Sequence, residues 1–124
     1  MAIAAFAAEP RLILEYPKAI VYNANGPDQK IKVKLEGADA DQWKVYWVTG
    51  NEYTARTAVF GDKLEGEKQL QYVGKGEFLS NDIALTSWNW NYGGHYEITI
   101  AAIPTDNSKK EKALYFTYKF SIKK

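Results

Sequence analysis

The sequence predicts an all-β chain, an antiparallel sandwich of about seven to nine strands forming one domain. Three stretches carry that prediction. In residues 30–35, Ile31, Val33 and Leu35 alternate with Lys30, Lys32 and Lys34. Tyr96, Ile98 and Ile100 alternate with Glu97 and Thr99, and Leu114, Phe116, Tyr118, Phe120 and Ile122 alternate through the end of the chain. Successive side chains of a strand point to opposite faces, so strict alternation marks a strand with one face buried.

The elements follow in order. Residues 1–11 form a short apolar arm, and the sandwich occupies 12–124. Residues 12–16 read as a first strand stopped by Pro17, and 19–22 continue it after a kink, as happens at sheet edges. Residues 23–28 are a loop by composition, 30–35 the next strand, and 37–41 a turn. In 43–48, Trp43, Val45 and Trp47 share one face. Residues 53–60 read as a strand closed by Gly61-Asp62, and 68–73 as another closed by Gly74-Lys75-Gly76. Phe78, with Ile83 and Leu85, marks a further strand. Residues 96–103 end at Pro104, 106–111 make a polar hairpin loop, and 114–122 form a final strand expected in mid-sheet. No helix longer than about two turns is expected. The expected core is Ile31, Val33, Leu35, Trp43 or Trp47, Tyr96, Ile98, Ile100, Phe116 and Phe120.

Composition narrows the function. The chain has 124 residues, 46% hydrophobic and 25% charged, which suits one packed domain rather than a disordered segment. A net charge of +1 argues against nucleic acid, whose phosphates require a concentrated basic surface. With no cysteine, the chain has no disulfide, thiolate metal site or cysteine nucleophile. No apolar run approaches the roughly 20 residues that span a bilayer, so no membrane insertion is expected. Ala5-Phe6-Ala7 fits a signal-cleavage pattern, but no basic region precedes it, so the arm is assigned to the mature chain.

Gly76-Glu77-Phe78, Ile83-Ala84-Leu85 and Gly94-His95-Tyr96-Glu97-Ile98-Thr99-Ile100 resemble bacterial and viral immunoglobulin-like domains, including fibronectin-III-like and macroglobulin-like variants. The resemblance implies an immunoglobulin-like β-sandwich whose last strand pairs with the penultimate one as a hairpin. It likens Tyr96 to the tyrosine of the corner motif, and Trp43 or Trp47 to the buried tryptophan of strand C. The cysteine pair of antibody domains is missing, so nothing about immune recognition carries over.

Few residues offer chemistry. His95 is the sole histidine, with Glu97 on the same face of its strand. No nucleophile stands at a recognisable spacing from it, so it reads as an exposed histidine at a strand mouth. Asp39-Ala40-Asp41 opens like a calcium loop, but Gln42-Trp43 follows in place of further ligands. Together with Asp62 and Asn81-Asp82, these residues read as turn formers. No catalytic residue, cofactor or metal is therefore expected.

Two partner sites stand out. Trp88, Trp90 and Tyr92 alternate with Asn89 and Asn91, so an extended backbone presents three aromatics on one face. Such a platform stacks on sugar rings; otherwise it plugs the sandwich end or packs under the arm. In the arm, Ile3 and Phe6 are suited to a groove on a neighbouring subunit. The expected function is a non-catalytic structural or interaction module. It would be a decoration-type accessory subunit of a virion or an extracellular surface assembly, binding itself or neighbouring protein subunits partly through the arm. The alternative is a carbohydrate-binding module using Trp88, Trp90 and Tyr92, with a glycan as partner.

Overall fold

A computed structural model describes residues 9–23, 26–83 and 95–123. They hold eight strands: β1 (Arg11–Tyr16), β2 (Val21–Asn23), β3 (Lys32–Glu36), β4 (Trp43–Thr49), β5 (Gln69–Gly74), β6 (Glu77–Leu79), β7 (His95–Pro104) and β8 (Leu114–Lys123). One helix, α1 (Glu52–Phe60), lies between β4 and β5. The chain is all-β in class, as its alternation predicts.

The strands make one hydrogen-bonded sheet in the order β1-β3-β6-β5-β4-β7-β8-β2. β5 joins its two halves: Gln69 and Leu70 pair with β4, whereas Gln71 and Tyr72 pair with β6. Side chains of both halves meet in one core of Ile31, Val33, Leu35, Val45, Trp47, Leu70, Phe78, Ile98, Ile100, Tyr118, Phe120 and Ile122. Because β5 pairs with β4 as well as β6, the strands form one continuous sheet that curls around the core, which only loosely matches the expected two-sheet sandwich. β7 and β8 pair antiparallel, from His95 opposite Ser121 to Ala102 opposite Leu114.

Three expectations need correction. First, the sheet is mixed, because β2 runs parallel to β8. The chain crosses from one half to the other between Tyr16 and Val21 without a hairpin reversal, so it meets β8 running the same way. Second, residues 53–60 belong to a helix of nine residues, more than two turns of about 3.6. The Asn51 carboxamide oxygen accepts from the Thr54 N–H at 3.0 Å, satisfying a donor the first turn leaves open. Arg56 reaches back to Glu52 at 2.9 Å. Ala55 and Val59, a turn apart, are buried, and Val59 packs with Ala101 and Ile103 on the outer face of β7, where the small Ala101 admits a helix. The Arg56 guanidinium lies 4.5 Å from the Tyr115 ring centre.

Third, Phe116 is not a core residue; it is 39% exposed. β2 pairs only with Ser121 to Lys123, so among the described residues no strand pairs with the outer edge of β8 beside Phe116. The mid-sheet expectation for β8 holds only for its last residues. The other expected core residues are buried or packed against the core. Trp47 is the buried tryptophan, Trp43 is partly covered, and the ring of Tyr96 lies 5.9 Å from that of Phe120.

Turn chemistry fixes the ends. Gly76 has φ 76°, and a Cβ there would stand 2.8 Å from the Leu35 carbonyl oxygen, so glycine is required. Residues 106–111, expected as a plain hairpin loop, include most of a 3₁₀ segment (Asn107–Lys112) capped by the Asp106 carboxylate on the Ser108 N–H. Among the described residues, no helix is long and apolar enough to cross a membrane.

Candidate functional site

Both sites singled out from the sequence, Ile3 with Phe6 and Trp88 with Trp90 and Tyr92, lie outside the described residues, as does Leu85. Their flanks are described. The arm leads into β1 at Arg11. The aromatic stretch departs after Ile83, which bridges to Gln29, and returns at His95, whose backbone opens β7 opposite Ser121.

The acidic residues serve local structure. Asp39 caps a short 3₁₀ turn through the Asp41 N–H, and Asp82 lies 3.6 Å from Lys30. Among the described residues, no three His, Cys, Asp or Glu side chains gather as a metal site.

Two features look outward. The first is the β2 edge. Ile20 is 68% exposed and Val21 is 47% exposed beside the end strand of the sheet. With Lys119, Phe120 and Ser121 they line a shallow groove of about 250 Å³. β2 has only three residues, which limits uncontrolled pairing while leaving apolar side chains on show.

The second is a cleft of about 240 Å³ where the end of α1 meets β4, β7 and the loop after β7. Val59, Leu64 and Ile103 make its apolar floor, and Lys44, Tyr46, Asp62, Thr105, Asn107 and Lys110 bring polar groups to it. α1 ends as the Gly61 N–H donates to the Thr57 carbonyl and the Lys63 N–H to the Ala58 carbonyl. This closure places Asp62 in the left-handed region at φ 52°, the position that usually takes glycine. The Lys110 ammonium donates to the Asp62 carboxylate at 2.6 Å. Lys110 is only 17% exposed, while Asp62 is 78% exposed at the mouth.

Pro104 and Thr105 separate this cleft from a second one of about 560 Å³ at the root of the arm. Pro10, Trp43, Lys109 and Lys112 are among its walls.

The cleft residues escape sequence reasoning because 61–62 and 106–111 read as independent turns. Asp62 and Lys110 stand 48 positions apart, and nothing in the alternation joins them. The available signal is the Gly61-Asp62 order: once 53–60 is helical, Asp62 falls on the left-handed closing position. No protein-family model matches the chain, and no curated protein matches it in sequence.

Proposed function

We propose that the protein is a non-catalytic interaction module, an accessory subunit held in a larger assembly partly by its N-terminal arm. The observation that carries this reading is the β2 edge, where Ile20 and Val21 leave apolar surface beside a strand that pairs with β8 on one side and, among the described residues, with no strand on the other. Such an edge offers backbone groups and side-chain contacts to an extended segment of a neighbour. The arm supplies a segment of matching character, with Ile3 and Phe6 among alanines. A virion or an extracellular surface layer is the kind of assembly this reading has in view.

Val21→Lys tests it by placing a charge on the edge without disturbing the core. The substituted chain should keep its melting temperature and lose self-association in sedimentation, or lose attachment to its assembly. Unchanged association would overturn the edge as a docking strand. A monomer that binds glycans through Trp88, Trp90 and Tyr92 would favour the carbohydrate-binding alternative.

A further inference from the structure

We propose that the cleft between the end of α1 and the β7–β8 connection binds a single sugar ring. This does not depend on the arm, on the β2 edge or on the Trp88–Tyr92 stretch. The floor of Val59, Leu64 and Ile103 suits the apolar face of a ring. Around it stand a carboxylate, an ammonium, an amide and two hydroxyls, from Asp62, Lys110, Asn107, Thr105 and Tyr46. A sugar hydroxyl donates and accepts at once, so it uses a rim that offers both kinds of partner. Asp62 and Lys110 already present an acceptor and a donor side by side, 2.6 Å apart.

Charge and size decide against other occupants. A small anion would be drawn by Lys44 and Lys110, but Asp62 and the negative end of α1 oppose it. That leaves one uncompensated ammonium on an exposed lysine, which holds an anion weakly in water. A neutral polyol has no such opposition. The cleft, at about 240 Å³, is smaller than the roughly 300–1,000 Å³ pockets of drug-sized ligands, which favours one ring over a longer chain.

The backbone of Asp62 points the same way. Gly61, at φ −91°, makes room for the Thr57 carbonyl oxygen, which a Cβ there would meet at 2.9 Å, while Asp62 takes the left-handed position next to it. A carboxylate is therefore held at the cleft mouth at a conformational cost that glycine would avoid.

The test is NMR titration of the whole chain with the methyl glycosides of glucose, galactose, mannose and N-acetylglucosamine. At least one should give saturable shifts at Tyr46, Val59 and Ile103, with a dissociation constant in the roughly millimolar range. Asp62→Gly removes the carboxylate and relaxes the left-handed strain, so the melting temperature should not fall while binding weakens about tenfold or more. Lys110→Gln should weaken binding in the same direction, and Trp88→Ala should leave it unchanged. The proposal is overturned if no glycoside gives saturable shifts in the cleft, or if Asp62→Gly binds as tightly as the parent. Binding of 3-phenylpropionate there, with every glycoside inert, would show an anion site and overturn it equally.

Discussion

Ser80 follows directly on β6, and its hydroxyl serves two backbone groups. It accepts from the Ile31 N–H at 2.7 Å and donates to the Asn81 carbonyl at 2.7 Å. Both Ser80 and Ile31 are buried, so water cannot replace either partner. Ser80→Ala would strand the Ile31 N–H in the interior, at a cost of about 1–3 kcal/mol. Urea unfolding checks this, and a loss well below that range would mean the amide finds another partner.

The outer face of β1, β3 and β6 depends on pH. The Lys32 ammonium beside Glu77 holds its carboxyl below the usual carboxylate range, with Lys34 adding to the effect. Glu77 in turn raises Lys32. The lowered carboxyl contributes stability above its unfolded value, near pH 4.3, and loses it as pH falls through the still lower folded value. The raised lysine contributes throughout the acid and neutral range and loses its share only above roughly pH 10. Melting temperature should therefore drop more steeply below about pH 4 in the parent than in Glu77→Gln. Parallel acid limbs would show that the pair contributes nothing.

At this scale the sequence was legible in its inward faces. Ile31, Val33 and Leu35 are buried as their alternation requires. Phe116 shows the limit, because alternation tells which face a side chain shares but not how far the neighbouring strand extends.

Among the elements, α1 is the one that local preference concealed. Tyr53, Thr54, Thr57, Val59 and Phe60 all favour strands in isolation. The helix prevails through its ends and one narrow stripe: the Asn51 cap, the Glu52–Arg56 pair, the closure beyond Gly61, and Ala55 with Val59 against the sheet. Tyr53 and Phe60 stay exposed, so no broad apolar face announces a helix. Asn51→Ala removes the cap and should cost about 1 kcal/mol. Thermal unfolding measures the loss. No change would mean that burial of Ala55 and Val59 alone holds the first turn.

The strands were easier to read than their partners. β3, β4, β7 and β8 each lie where alternation placed them, whereas the crossing between β1 and β2 was not legible. Residues 19–22 read as a continuation of the first strand, and pairing direction depends on where the chain crosses, which side-chain pattern does not encode.

For the whole molecule, the two halves of the sheet close on one core and leave the outward features at separate places. The β2 edge carries Ile20 and Val21, the cleft lies beside the end of α1, and the arm leads into β1. The carboxylates and lysines that give sequence-level hints are mostly spent on caps and ion pairs, such as Asp39, Asp106 and Lys32. The cleft is a product of tertiary folding, so it has no counterpart in the linear pattern.

On the proposed reading, the arm joins the protein to a neighbour. Burying Ile3 and Phe6 in a partner would contribute roughly 1.5–3 kcal/mol each before ordering costs. The most direct measurement is deletion of residues 1–8, with melting temperature and assembly recorded on the same sample. The account predicts a chain that melts as the parent does but no longer assembles or attaches. A truncated chain that fails to fold, or that assembles as the parent does, would contradict it.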